Sequence, residues 1–192
     1  MVFNMHLKIL QKYAILFLVF GLIWLDLEVI FRVLSMEMYK TGMLEHLLGG
    51  PPSVKFFGLF GFTSLWMFFI GGFTVFSIGL LNEFNFIRMN LNVFWQTLLG
   101  TVIITLIELS AGIIFNRCLG FNLWNYESFP LNLLGQICLP VSVFWFFLTP
   151  FGFWLDDILR KVILGQGEFY SLWSVYKKLF CITAKPCFQK KI

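Results

Sequence analysis

Long apolar runs constrain this chain more than any other feature. From Phe56 to Leu81 the sequence contains no Asp, Glu, Lys or Arg, and the same holds from Leu133 to Leu155. Runs of about 20 apolar residues are long enough to cross the hydrocarbon core of a bilayer as helices. Strands of a membrane barrel would instead alternate apolar and polar residues over segments of roughly 10 residues. Since only helices and closed barrels span membranes, the sequence predicts an all-α, polytopic integral membrane protein.

Composition agrees with lipid as the solvent. Of the 192 residues, 59% are hydrophobic and 12% are charged, whereas a typical soluble domain has about 25% charged residues. We predict four transmembrane helices at about residues 13–34, 56–81, 93–115 and 133–155, all within a helical domain of residues 1–157. Residues 158–192 are predicted to form a basic cytoplasmic or interfacial tail.

The distribution of basic residues predicts the orientation. Lys8 and Lys12 precede the first span, and seven basic residues follow the fourth: Arg160, Lys161, Lys177, Lys178, Lys185, Lys190 and Lys191. Cytoplasmic flanks of membrane spans carry an excess of Lys and Arg. We therefore expect both termini in the cytoplasm, the lipid bilayer rather than nucleic acid as the partner of these charges, and a location in the plasma (cell inner) membrane.

Several enzyme and cofactor signatures are missing from the sequence. It contains no G-x-x-x-x-G-K-[ST] nucleotide loop, no H-E-x-x-H zinc motif and no G-x-S-x-G nucleophile motif. Its four cysteines include no C-x-x-C pair, which is the usual spacing of zinc and redox sites. We expect no catalytic residue of a known type, no cofactor and no metal, and any ATP-driven role would need a separate ATPase subunit.

Polar residues inside the predicted spans are the candidate site. A charged side chain at the centre of a membrane helix costs on the order of 2.5–3.5 kcal/mol, so such residues usually face the protein interior and often have a function. Helical spacing places Glu108, Gly112 and Asn116 near one face of the third span. A purely structural role, in which Glu108 fixes helix packing, stays open. The intramembrane candidates are Glu108, Asn116, Asn132, Glu28, Arg32 and Asp26.

Three of these candidates have a local explanation as well. Glu28 and Arg32 are spaced i,i+4 and can pair along one helix face, whereas Asp26 has no obvious local partner. Asn132 precedes the predicted fourth span, where it either caps the first N–H groups of the helix or contacts a ligand. In the loop before it, Trp124, Asn125 and Tyr126 form either a lid over the Glu108 face or an aromatic belt at the membrane surface.

Several motifs resemble one known family. The central stretch reads E-L-x-x-G-x-x-x-N, followed by W-N-Y-x-x-x-P-x-N-x-x-G-x-I-C-L, a serine and a tryptophan. With Thr63-Ser64-Leu65-Trp66-Met67-Phe68 and Glu28, it is similar to the putative ABC-transporter type IV (CmpB-type) membrane family, over about residues 21–155. The resemblance adds Trp66, Gly112 and Gly135 to the candidate residues. In two places the chain departs from the family pattern, because Asn125 replaces an aspartate and Phe69 a proline.

Three functions fit these observations. The resemblance implies a transport-associated, permease-like component that works with a separate ATPase subunit or as a homo-oligomer, with Glu108, Asn116 and Asn132 lining a polar site. A structural or regulatory membrane protein, in which polar groups hold helices together, is the first alternative. The second is a membrane-embedded enzyme acting on a lipid or prenyl-type substrate, with Glu108 or Asp26 as acid or base.

Overall fold

The computed structural model describes residues 2–40, 63–83 and 91–180, with the backbone alone for residues 2–9, 31–40 and 82. Over these ranges the chain is mostly helical. Its elements are α1 (Val2–Lys40), α2 (Leu65–Glu83), α3 (Val93–Ala111), a π-helical segment (Gly112–Cys118), β1 (Asn132–Leu133), β2 (Ile137–Cys138), α4 (Leu139–Leu164) and α5 (Leu172–Leu179).

Three helical stretches are long and apolar enough to cross a membrane. They are Leu10–Ile30, Val93–Cys118 and Leu139–Leu164, while the apolar helix Leu65–Leu81 is shorter. The described part of the second predicted span begins only at residue 63, so residues 56–62 lie outside the described residues. The predicted helical fold is therefore confirmed over the described residues, and the three candidate spans agree with a membrane protein. The count of four spans and the cytoplasmic position of the termini stay predictions.

Glycines bring α1 and α2 into close contact. A Cβ atom added at Gly72 would lie 3.3 Å from the Gly21 Cα atom and 3.3 Å from the Phe17 carbonyl oxygen. At Gly71 it would fall within the ring of Trp24. Small residues of this kind let helix backbones approach in a membrane, where packing rather than the hydrophobic effect holds helices together.

The remaining helices complete a bundle around α2, which packs against α1, α3 and α4. The ends of two helices are defined by their sequence. Asn92 caps α3 by accepting a hydrogen bond from the Trp95 N–H at 3.1 Å. Pro140 lies in the first turn of α4, where proline is tolerated, and Gly165 ends the helix in the left-handed conformation with φ of 71°.

The region before α4 differs from the sequence prediction. We predicted the fourth span from residue 133, but β1 and β2 form a short antiparallel hairpin there, with Asn132 opposite Cys138. The helix begins only at Leu139 and continues through Leu164, across the predicted domain boundary at residue 157. The chain between the π-helical segment and α4 is thus a structured loop, which we call the cap loop (residues 119–138).

Candidate functional site

Glu108 lies where α3, α4 and the cap loop meet. One of its carboxylate oxygens, Oε1, accepts a hydrogen bond from the Tyr126 hydroxyl at 2.9 Å. The other, Oε2, accepts one from the Trp145 Nε1–H, also at 2.9 Å. Each oxygen therefore has a donor from a different part of the chain, and we call these three residues the Glu108 centre.

The depth of Glu108 makes this arrangement costly. Val93–Cys118 is continuous as a candidate span, and at 1.5 Å per residue about 15 Å of helix follows Glu108. An ionisable group at that depth is expensive unless it is paired or hydrogen-bonded. The two donors reduce this cost, and they fix the direction in which the carboxyl group points.

Tyr126 is held in its neutral, donating form. It lies in the cap loop with only 9% of its surface exposed. Burial, and then the nearby carboxylates of Glu108 and Glu28, hold the pKa of Tyr126 well above its usual range. Glu28 lies on α1, where its side chain is half-buried.

Asn116 holds the cap loop against the helix. Its Nδ2 group donates to the Trp124 carbonyl at 3.0 Å and to Gln136 Oε1 at 2.8 Å. Its Oδ1 atom accepts from the Leu123 N–H at 2.6 Å. These bonds use both amide protons of Asn116, so in this structure its amide group organises the loop.

The π-helical segment brings Asn116 and Gly112 to the same partner. π-helical turns are rare and are often found at functional sites. A Cβ atom added at Gly112 would lie 2.6 Å from Gln136 Oε1, so only glycine leaves room for this side chain. Gln136 is 5% exposed and was missed by the sequence reasoning, because a glutamine next to an apolar run gives no distinctive pattern.

Two aromatic residues of the cap loop are buried within the protein. Trp124 donates through Nε1–H to the Gln136 carbonyl at 2.9 Å, and the Tyr126 N–H donates to the Gly135 carbonyl at 2.8 Å. Of the two interpretations, a surface belt does not describe Trp124 and Tyr126, since both pack inside the loop. Asn125 is exposed, and its Oδ1 atom accepts from the Glu127 N–H at 2.8 Å.

Asn132 stabilises the hairpin turn and does not cap α4. Its Nδ2 group donates to the Glu127 and Phe129 carbonyls, and its Oδ1 atom accepts from the Gly135 N–H at 3.1 Å. The first residue of α4 is Leu139, preceded by Cys138 at the cap position, so Asn132 is too early in the chain for the predicted capping. Gly135 has a φ of 66°, which favours glycine in this turn.

The other predicted residues lie apart from the Glu108 centre or have a packing role. Trp66 packs its ring on Phe115, with centroids 4.9 Å apart. Asp26 is exposed. The side chain of Arg32, and with it the predicted pair with Glu28, lies outside the described residues.

Beside the centre, Trp24 stacks on Trp145 with ring centroids 5.4 Å apart. A cavity of about 30 Å³ adjoins this pair and is lined mainly by apolar side chains of α1, α2, α3 and α4. Small-molecule sites usually measure roughly 300–1,000 Å³. This cavity is therefore too small to hold an organic solute.

A second polar cluster was not foreseen as a group. Arg160 Nε donates to Asp156 Oδ2 at 2.7 Å, and Glu83 Oε1 lies 3.9 Å from the same nitrogen. The Tyr170 hydroxyl donates to Asp157 Oδ2 at 2.7 Å. Carboxylate oxygens of Glu83, Asp156 and Asp157 lie within 4.8 Å of one another, but the guanidinium of Arg160 already neutralises part of this charge.

Arg160 was predicted to belong to the basic tail after the fourth span, and Asp156 and Asp157 precede it closely in the sequence. In the structure all three are buried, and Asp156 is 0% exposed. The sequence contains a pattern that predicts this ion pair, because the i,i+4 spacing of Asp156 and Arg160 places them on one helix face. The cluster ties α4 to α2 and to the loop before α5.

Comparison with known proteins identifies one family. The family described as Putative ABC-transporter type IV matches residues 15–182. No curated protein and no solved structure matches the chain. The match covers the Glu108 centre, the cap loop and the buried cluster around Arg160.

Proposed function

Because the chain belongs to the putative ABC-transporter type IV family, we propose that it is the permease-like membrane component of a transport system. It carries no ATPase of its own and works with a separate ATPase subunit or as a homo-oligomer. The family match and the apolar helices together indicate a transport-associated membrane protein.

The Glu108 centre is the observation that carries the proposal. An ionisable residue within a membrane span is a functional candidate by default. Here the carboxylate joins α3, α4 and the cap loop through two hydrogen bonds of 2.9 Å. A change in the charge or in the binding partners of Glu108 would therefore affect three elements at once. Coupled shifts of packed helices and loops are one form of conformational switching.

The cavity next to the Glu108 centre is small. At about 30 Å³ it has room for about two or three water molecules, since one water needs roughly 10–15 Å³ of such volume. A larger solute would therefore not pass through this cavity, and under the proposal its path forms with another chain or a second copy.

One observation favours the alternative of a structural or regulatory membrane protein. Both amide protons of Asn116 and both oxygens of Glu108 are engaged in hydrogen bonds within the chain. Saturated groups of this kind rigidify a fold. Under this alternative the polar residues hold the cap loop on the bundle and no solute crosses the membrane.

Native mass spectrometry of the tagged protein, released gently from its own membrane, tests the proposal. A co-purifying ATPase subunit, or a homo-oligomer with a water-soluble ligand, is the expected result. A single chain that carries only bulk lipid would favour the structural alternative. A single enriched lipid species would favour a lipid-modifying activity.

We further propose four spans, both termini in the cytoplasm and a plasma membrane location. Basic residues concentrated near the two ends of the sequence support this orientation. A C-terminal fusion to a reporter that is active only outside the cytoplasm should be inactive, while the same reporter placed after residue 125 should be active. The opposite pattern would reverse the orientation.

A further inference from the structure

Helix α5 packs one of its faces firmly on the bundle. Val175 and Leu179 are 0% and 1% exposed and belong to a core shared with α2, α3 and α4. The Tyr176 hydroxyl donates to the Phe147 carbonyl of α4 at 2.7 Å. The Trp154 Nε1–H donates to the Tyr170 carbonyl just before α5, at 2.9 Å. These contacts fix which face of α5 points away from the protein.

That outward face is aromatic and cationic. Phe169 before the helix, Trp173 within it and Phe180 at its end are 65%, 67% and 73% exposed. Lys177 is exposed and its Nζ atom lies 5.8 Å from the centroid of the Trp173 ring. Lys178, the next residue, is half-buried and lies at the edge of this face. We call these five residues the α5 surface.

The α5 surface is unusually aromatic for a helix face that contacts water. A short helix that buries one apolar face usually presents charged and polar side chains on the other. Here three large aromatic rings point outward instead, with lysines between them. Amphipathic rings with basic residues are typical of helices at the boundary between acyl chains and headgroups, where the rings lie among lipid and the ammonium groups reach the phosphates.

The net positive charge of residues 161–180 favours lipids with anionic headgroups. Residues 161–180 carry three basic side chains, Lys161, Lys177 and Lys178, and one acidic side chain, Glu168. A net positive segment at the membrane surface attracts anionic lipid over zwitterionic lipid.

We propose that the α5 surface is a binding site for anionic phospholipid, with Lys177 and Lys178 on the headgroup and Trp173 at the acyl boundary. The site is distinct from the Glu108 centre and does not depend on the proposed transport role. It requires only that α5 keeps its observed packing in the bilayer.

Fluorescence quenching by brominated lipids tests this assignment. The full-length protein is placed in nanodiscs that contain either brominated phosphatidylglycerol or brominated phosphatidylcholine in an otherwise unlabelled bilayer. The difference between the wild type and Trp173→Phe isolates the quenching of Trp173. We expect brominated phosphatidylglycerol to bind near Trp173 roughly tenfold more strongly than the zwitterionic lipid.

In the double variant K177Q/K178Q, brominated phosphatidylglycerol and brominated phosphatidylcholine should quench Trp173 equally. The matched control K12Q/R117Q removes the same charge from two exposed residues outside α5 and should keep the preference. Equal quenching by both lipids in the wild type would overturn the proposal. So would an absence of Trp173 quenching by either lipid, or a preference that survives K177Q/K178Q.

A salt titration keeps the proposal testable if the double variant does not fold. The screening length falls from about 30 Å at 0.01 M salt to about 3 Å at 1 M. The preference of the wild type for phosphatidylglycerol should fall over this range. A preference that is independent of salt would contradict an electrostatic headgroup site.

Discussion

Replacing Asn116 by leucine should loosen the cap loop. Leucine has nearly the same size but neither donates nor accepts a hydrogen bond. The change would leave the Leu123 N–H, the Trp124 carbonyl and Gln136 Oε1 without the partner that each has in Asn116. Asn116 is only 7% exposed, so water cannot readily replace it.

The expected loss of stability follows from these three bonds. Side-chain hydrogen bonds in membrane proteins average about 0.6 kcal/mol by double-mutant cycles, which gives about 2 kcal/mol for three. If the buried partners are left unsatisfied, each costs about 1–3 kcal/mol. We therefore expect Asn116→Leu to lower the free energy of unfolding by at least about 2 kcal/mol, and by more if the three partners stay unsatisfied.

Equilibrium unfolding in mixed micelles, with increasing mole fraction of sodium dodecyl sulfate, measures this difference. Asn125→Ala is the control, because Asn125 is exposed and accepts one local hydrogen bond from the Glu127 N–H. The control should stay within about 0.5 kcal/mol of the wild type, as surface substitutions usually do. If Asn116→Leu also stayed within that range, the assignment of Asn116 as the residue that holds the cap loop would be wrong.

Three further predictions concern other parts of the bundle. Gly72→Leu should sharply reduce the yield of monodisperse protein in size-exclusion chromatography, and Gly72→Ala should reduce it less, because a single Cβ atom at this position already comes within 3.3 Å of α1 backbone. In a variant with serine in place of the cysteines beyond residue 180, maleimide should label the exposed Cys118 and not the buried Cys138. Burial also raises the pKa of the Cys138 thiol. Equal labelling rates of the two cysteines would refute this prediction. Arg160→Met should destabilise the protein by about 3–5 kcal/mol, since it leaves Asp156 buried without its cation. Adding Asp156→Leu should recover part of this lost stability. A further loss of stability in the double variant would argue against the pair.

The helices that run through apolar segments could be predicted from the sequence. Helix α3 was predicted at residues 93–115 and is observed from Val93, with the π-helical segment extending it to Cys118. The extension was not predictable, because it depends on Asn116 and Gly112 both meeting Gln136, a residue distant in sequence. The close contact between Gly72 and Gly21 was also not predicted, because it depends on how α1 and α2 pack against each other.

The hairpin before α4 shows why an apolar run does not always form a helix throughout. Residues 133–138 are mostly apolar, yet Leu134 has a φ of 57° and Gly135 a φ of 66°. A left-handed conformation at two successive residues ends a right-handed helix. The hydrogen bonds of Asn132 and Trp124 make this turn favourable, and neither bond can be read from hydrophobicity.

The candidate site was predicted in part. Glu108 follows from the cost of a charge in a membrane span, and its two donors, Tyr126 and Trp145, come from other elements. Tyr126 was a candidate as a lid residue, but Trp145 appeared only in the family motif. The structure adds which atom of Glu108 each residue contacts. A substitution at Glu108 that removes the ionisable group can distinguish a role of these contacts in transport from a role in packing.

The distribution of solutes between cells and medium shows whether Glu108 has a role in transport. Cells that lack the protein are compared with cells producing the wild type, Glu108→Gln or the control Ser110→Ala, whose exposed hydroxyl donates only to its own helix at Leu106. Mass spectrometry of the cells and the medium, at matched protein levels in the membrane, gives the partition of each solute. We predict at least one solute whose partition changes with the wild type and with Ser110→Ala, and returns to the value of the empty cells with Glu108→Gln. Partition that is the same with and without the wild type, or that is unaffected by Glu108→Gln, would contradict a transport role centred on Glu108.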